Sequence, residues 1–410
     1  MDVVHERAAG MDISKRDVKV AVRVPGKRAG TFTTSVSTWG STVSEIVGLI
    51  EFLKREQVTT IAMEATSDYW KPFFYLMEEE LPVILVNAKQ ARNIPGRKTD
   101  VSDAAWLAQL AAHGLLRASF VPPEPIRQLR DLTRARSVAA RDHGRQLQRL
   151  EKFLESSGIK LSSVTNLKGT SARAMLDALV DGERDPVVLA DLSQRLLRRK
   201  IPQLTEALQG RFTEHHAFLV RQHLAVIDAH QAMIDELTRR IEEQIEPFRS
   251  ARDALITIPG VSTLVADVII AETGADMTVF ETAAHLASWA GVCPGQNESA
   301  GKAKSSTTTH GNAYLKGTLG VAAMSVSRSK STYLAARYRR IASRRGNARA
   351  LVAVQHSILT AIWHMLRNGE VYHDPGADYY TRIDPQKAKN KAIRQLRALG
   401  YEVVVTPTAA

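Results

Sequence analysis

"AAGMDISKRDVKVAVRVP", Ala8 to Pro25, concentrates apolar and β-branched residues on both sides of Lys15-Arg16, which predicts two strands joined by a tight turn. "TFTTSVST" (Thr31 to Thr38) reads as a neighbouring strand, and an amphipathic helix is predicted from about Ser41 to Glu56. "VTTIAMEA" (Val58 to Ala65) and "PVILVNA" (Pro82 to Ala88) are short apolar runs of buried-strand type. Between them "SDYWKPFFYLMEEE" reads as a Ser/Asp-capped helix. Strands alternating with helices over the first ~120 residues predict an α/β domain.

Charged residues interrupt this apolar pattern at a few places. Asp12 lies within the first strand and Glu64 near the end of a later one. Desolvating a carboxylate is costly, so such residues imply partners. "KTDVSDA" (Lys98 to Ala104) adds Asp100 and Asp103 where a loop gives way to an apolar-periodic segment running to about His113. Asp100 suits an N-cap and Asp103 the first helical turn. Capping needs only one of them, and two carboxylates three residues apart on a helix repel unless a cation lies between them. Capping and cation binding both remain open on these residues alone. Asp12 and Glu64 converging on the Asp pair would make a site for hard divalent cations, and two such ions would suit phosphodiester cleavage.

Composition narrows the partners. The 410 residues are 44% hydrophobic and 24% charged, an ordinary globular composition. The longest apolar run, around Leu264 to Ala271, is far short of the ~20 residues that span a bilayer, so no membrane association is expected. The N-terminus does not read as a signal peptide, and the lone Cys293 forbids an intrachain disulfide, which fits a reducing cytoplasm. The net charge is +12, yet 18 Lys and Arg stand against 5 Asp and Glu from Gly301 onward, so the excess is regional. Arg339, Arg340, Arg344 and Arg345 in "RYRRIASRRGNAR" make a polyanion partner, nucleic acid, the favoured reading.

The predicted divisions are 1–121, an α/β metal domain; 122–250, wholly helical; 251–370, mainly helical; and 371–410, a basic appendage. In the second, Leu219, Val226, Met233, Arg240 with Leu237, Ile241 and Ile245 follow a patchy heptad that predicts a long helix or coiled coil. In the third, "LITIPGVSTLVADVIIAE" (Leu255 to Glu272) has the pattern of a helix-hairpin-helix, whose amides around Gly260 could take a DNA phosphate, although such hairpins also occur without ligands. "GVCPGQNESAGKAKSSTTTHGNAYLK" (Gly291 to Lys316) reads as a glycine- and serine-rich loop. It is not a Walker A motif, because Gly295 is misplaced and Ala303 follows Lys302.

"GMDISK", "AMEATSDYW", "NIPGRKTDVSDAAWLAQL" and "IPGV…FETAAHLASWAGVCPGQNESAGK…HGNAYLK" together resemble the transposases of the insertion sequence 110 family, the DEDD-type or bridge recombinases, over about Ala9 to Arg367. The resemblance implies an RNase H-like, RuvC-like N-terminal domain in which Asp12, Glu64, Asp100 and Asp103 bind Mg²⁺, as two ions, with Mn²⁺ an alternative. It implies a C-terminal domain in which Ser299 is a nucleophile, within Pro294, Gln296, Ser299, Gly301 and Lys302 of the family pattern. Read alone, a serine in such a loop is a turn residue. Lys302 and Lys304 would contact nucleic acid. Ala300 and Ser262 stand where the family has glycines. The implied activity is cleavage and rejoining of donor and target DNA, guided by a non-coding RNA of the element, in the prokaryotic cytoplasm at the nucleoid; the helical arm adds the expectation of a homodimer or homotetramer. A junction-resolving metal nuclease would use the same carboxylates without a covalent serine.

Overall fold

The protein's structure, a computed structural model, describes residues 2–28, 30–65, 67–87, 94, 102–295, 297–299, 301–305 and 307–406, with the backbone alone at 297–299 and 302–305. The chain divides into two compact units, Met1–Val121 and Pro122–Ala410.

The first unit is built on a five-stranded sheet of order β3-β2-β1-β4-β5. Its strands are β1 (Ala8–Ile13), β2 (Asp17–Pro25), β3 (Phe32–Gly40), β4 (Thr60–Glu64) and β5 (Val83–Val86). β1, β2 and β3 form an antiparallel meander, while β4 joins β1 and β5 joins β4 in parallel. Parallel neighbours need crossovers, which α1 (Val43–Arg55) and α2 (Trp70–Met77) supply. This mixed sheet is compatible with an RNase H-like domain.

Side chains alternate across a sheet, and the two faces of this one differ in kind. Ala9, Met11, Ile13, Ile61, Met63 and Leu85 pack with Ile46, Leu49, Leu53, Phe73 and Met77 of α1 and α2. The opposite face presents small residues, Ala8, Gly10, Ala21 and Ala62, beneath α3 (Asp103–Ala112). A Cβ added at Gly10 would lie 2.1 Å from the Ala104 carbonyl oxygen and 2.4 Å from the Ala108 nitrogen. Glycine there lets helix backbone rest directly on strand backbone.

Two boundaries depart from the sequence reading. α3 begins at Asp103 with Ser102 as its N-cap, Oγ accepting from Ala105 N at 3.3 Å, so Asp103 is the first helical residue rather than the third after an Asp100 cap. Asp100 itself lies outside the described residues. α2 has no side-chain cap, and Asp68 instead pairs with Lys71 at 2.9 Å.

The second unit is predominantly helical. α4 (Glu124–Ser156) runs beside a second long helix, α9 (Glu214–Gln244). Four short helices pack against the pair: α5 (Leu161–Val164), α6 (Thr170–Val180), α7 (Pro186–Asp191) and α8 (Ile201–Ala207). The seam of α9 is Ala217, Val220, Leu224, Ile227, Ile234 and Ile241 with Ile245 just beyond, a spacing of threes, fours and sevens. The sequence reading placed Ile241 and Ile245 correctly but put Val226 and Met233 on the seam, and both are exposed.

Beyond this arm lie α10 (Arg249–Leu255), α11 (Thr263–Thr273), α12 (Ala283–Trp289), the hairpin strands β6 (Asn297–Ser299) and β7 (Lys302–Ser305), and α13 (Ala313–Ser327). α14 (Tyr333–Arg345), α15 (Asn347–Asn368), α16 (Tyr379–Ile383) and α17 (Pro385–Ala398) complete the chain.

Candidate active site

Strand register sets the first group of candidate residues. The last β1–β4 pair is Met11 with Met63, so Asp12 and Glu64 are the next residues on neighbouring strands, which lie about 4.8 Å apart. By alternation both stand on the face that carries Gly10 and Ala62, the face that α3 covers. Lys19 pairs with Asp12 from β2.

α3 runs antiparallel to β1. Its C-terminal Ala112 carbonyl accepts from Val4 and His5 before the strand, and its first turn meets Gly10. The helix N-terminus, opened by Asp103, therefore stands at the strand end that carries Asp12 and Glu64. Glu64 is buried at 6% exposure, and Asp12 and Asp103 are half-buried. The sequence makes this arrangement through Gly10, two residues before Asp12, which fixes how closely α3 approaches.

Among the described residues no group of three or more His, Cys, Asp or Glu side chains is placed to hold a metal ion. Two strand-borne carboxylates at a helix N-terminus nevertheless supply the oxygen donors that a hard divalent cation takes. Asp100, the fourth residue of the set, falls in the undescribed segment.

Ser299 belongs to the second unit, and the structure changes its setting. The segment read as a loop contains a β-hairpin, with Ser299 paired to Lys302 across a turn in which Gly301 has φ +74°. Such a turn needs a residue that tolerates positive φ, which Gly301 supplies. The stem is tethered lower down, where Pro294 bridges Thr308 and Gly295 N donates to the Thr307 carbonyl at 2.8 Å. At the base a Cβ on Gly311 would sit 2.2 Å from the Ala290 carbonyl oxygen, so two backbone segments cross in contact. Ser299 thus occupies the tip of a hairpin anchored at its base.

A buried ionic cluster holds the far side of that base. Glu272 of α11 is fully buried and takes a two-pronged contact from Arg134 of α4, Nε to Oε1 at 2.7 Å and NH2 to Oε2 at 2.8 Å. Asn312 Nδ2 donates to the same Oε2 at 2.6 Å while its Oδ1 caps α13. Arg130 lies 3.4 Å from Oε2 and donates to the main-chain carbonyls of Ala271 and Glu272. The Glu272 contact raises the Arg134 pKa against the opposing effect of burial. The sequence reading gave Glu272 no role; its signal was a carboxylate closing the longest apolar run.

The predicted nucleic-acid residues divide. Gly260 has φ +87°, and a Cβ there would meet the Ala322 carbonyl at 2.6 Å, so close packing against α13 by itself accounts for the glycine. Val261 N is already bonded to the Ile258 carbonyl. Arg339 is committed to the Ser329 and Lys330 carbonyls, and Arg340 stacks over Tyr380 at 4.3 Å. These two, with Arg344 and Arg345, are exposed on α14. Lys302 and Lys304 lie on β7. Among the described residues no helix is long and apolar enough to cross a membrane.

Two family models match the chain. Residues 9–158 match a family of DEDD type described as "Transposase", and residues 252–339 match the "Transposase IS116/IS110/IS902 family". A curated relative, "Insertion element IS900 uncharacterized 42 kDa protein" of Mycobacterium paratuberculosis, is 27% identical over 300 residues, 67% of this chain and 73% of the relative. The two matches take in the sheet with α3 and the helical segment with the anchored hairpin, so the chain belongs to the insertion sequence 110 family and is a DNA transposase.

Proposed function

We propose that the protein cleaves and rejoins donor and target DNA with two sets of groups: the carboxylates of Asp12, Glu64, Asp100 and Asp103, and the hydroxyl of Ser299. The observation that carries the reading is the register that sets Asp12 beside Glu64 at the strand end where α3 begins with Asp103. Like charges held so close are stabilised by cations. Divalent ions, Mg²⁺ or Mn²⁺ and two in number, would supply Lewis-acid polarisation of phosphodiester oxygens when bound there.

Ser299 Oγ attacks a phosphorus, forming an O–P ester as the bond to one strand oxygen breaks, and that oxygen leaves with a proton as a hydroxyl. Attack by a hydroxyl of the incoming strand reverses the exchange and frees the serine. Lys302, across the hairpin turn, supplies positive charge for the phosphate. A non-coding RNA of the element selects the sites, and the basic α14 surface contributes phosphate contacts. Val226 and Met233, exposed one heptad apart on α9, support assembly as a homodimer or homotetramer through the arm.

Substituting Asp12→Asn, Glu64→Gln or Asp103→Asn tests the carboxylate reading. Each variant should fold, bind DNA as the wild type does and lose strand cleavage by a factor of about 100 or more. Cleavage at the normal rate in any of them, or in excess chelator, refutes it. The alternative, a junction-resolving nuclease using the same carboxylates, differs only in leaving no covalent adduct.

A further inference from the structure

We infer that α17 is a second DNA-binding element, which enters the major groove of duplex DNA with its cations on the flanking phosphates and is separate from the α14 arginines. The inference rests on DNA as the transposase's substrate and on neither the carboxylates nor Ser299. It starts from what α17 lacks. Pro385 to Ala398 carries Lys387, Lys389, Lys391, Arg394 and Arg397 and no carboxylate. None of its residues is buried. Among the described residues none of these five side chains has a hydrogen-bond or ion-pair partner.

The acids that precede the helix are committed elsewhere, and Glu402 follows four residues beyond its end. Asp384 caps α17 by accepting from Lys387 N at 3.0 Å, and Asp378 pairs with Arg382 at 3.0 Å. Asp374 accepts from Tyr333 N at 2.9 Å and Gly376 N at 2.7 Å. Local electrostatics therefore leave the helix a free cationic rod.

Its charges are also arranged. Lys387, Lys391 and Arg394 follow i, i+4, i+7 spacing on one face with Arg397 beside them, while Ala388, Ala392, Leu396 and Leu399 take the other together with Lys389, and Ile393 stands between the two. Ala388, Ala392, Ile393, Leu396 and Leu399, of which Ala388 and Ile393 are half-buried and the others exposed, are too little apolar surface to hold the helix firmly to the protein or to seat it among acyl chains. A helix of 14 residues is about 21 Å long, and the major groove of B-form DNA, about 12 Å wide, admits it. The deep, narrow major groove of duplex RNA does not. α17 has no aromatic residue on which to stack an unpaired base.

The helix is also tied to the body at one end. Tyr333 of α14 meets Tyr379 and Tyr380 of α16 at ring centroid distances of 4.8 and 5.8 Å, and Arg340 covers Tyr380. This tyrosine anchor fixes the start of the rod beside α14, so both basic helices reach the same duplex.

The test compares the full chain with the Lys387→Gln, Lys391→Gln, Arg394→Gln, Arg397→Gln quadruple variant, and with a chain ending at Ile383. Fluorescence anisotropy follows binding to a short duplex of unrelated sequence over a salt series. Losing four phosphate contacts lowers the slope of log affinity against log salt by about 3 to 4. The wild type then loses roughly a hundredfold more affinity than the variant between about 50 and 200 mM salt. An unchanged slope overturns the proposal, as does a loss of equal size on duplex RNA. Binding to anionic phosphatidylserine vesicles that disappears in the variant while DNA binding is unaltered also overturns it. An Arg344→Gln, Arg345→Gln variant separates the outcomes, because neither residue touches the tyrosine anchor and its defect reports on α14.

Discussion

Replacing Glu272 with alanine should destabilise the second unit more than any single surface change. The carboxylate is fully buried and receives charge-assisted contacts from Arg134 and Asn312, with Arg130 3.4 Å away. Its removal leaves Arg130, 15% exposed, facing a void, while Arg134, 35% exposed, regains some water. Breaking a buried ion pair from one side costs about 3–5 kcal/mol, and the partial hydration of Arg134 places this variant near ~3 kcal/mol. Glu272→Gln keeps the shape and one acceptor and should cost about 1–2 kcal/mol. The assay is urea-dependent hydrogen exchange of α11 and α13 peptides, which reads this unit without interference from the other. A loss below about 1 kcal/mol in Glu272→Ala would refute the reasoning. Asn312→Ala should be coupled, so that the double variant loses less than the sum of the singles.

Three further expectations follow from particular contacts. Gly10→Ala forces a Cβ against the Ala104 carbonyl and should cost about 1–3 kcal/mol; by moving α3 it should slow cleavage further than the stability loss explains, which single-turnover cleavage by the folded variant measures. Burial pushes the Asp267 carboxyl up to about 6 against the pull of Arg252, whose Nε lies 3.0 Å from Oδ1. The folded chain then holds a proton that the unfolded chain releases between about pH 4 and 6, so stability from this group falls as pH rises through that window, by roughly 2–3 kcal/mol; Asp267→Asn should flatten that slope in pH-dependent unfolding. Gly301→Val should disrupt the hairpin turn, where φ is +74°, and reduce adduct formation with little change in DNA affinity.

The sheet was readable in the sequence because β1, β4 and β5 are apolar runs bounded by turn residues, and β3 was underestimated only at its end, Trp39-Gly40. Asp12 and Glu64 stood out because charge within an apolar strand is costly, and Asp103 because it repeats a negative charge three residues after Asp100. The start of α3 was misread because Asp100, Ser102 and Asp103 all suit a helix N-terminus, and only the backbone decides among them. The hairpin escaped notice because strands of three and four residues, with Ala303 their one apolar side chain, are too short to show a hydrophobic alternation. On α9 the stripe was misplaced because small and β-branched Ala217, Val220 and Ile227 form the seam while larger Met233 faces water. The Glu272 cluster joins residues about 140 positions apart, a relation that local periodicity does not encode.

The most direct measurement traps the protein on a DNA substrate, digests the complex and identifies the linked residue by mass spectrometry. A phosphodiester bond to Ser299, absent in Ser299→Ala, is the predicted result. Strand cleavage by Ser299→Ala at the normal rate, or a bond to any other residue, would contradict the serine mechanism and leave the carboxylates as a nuclease.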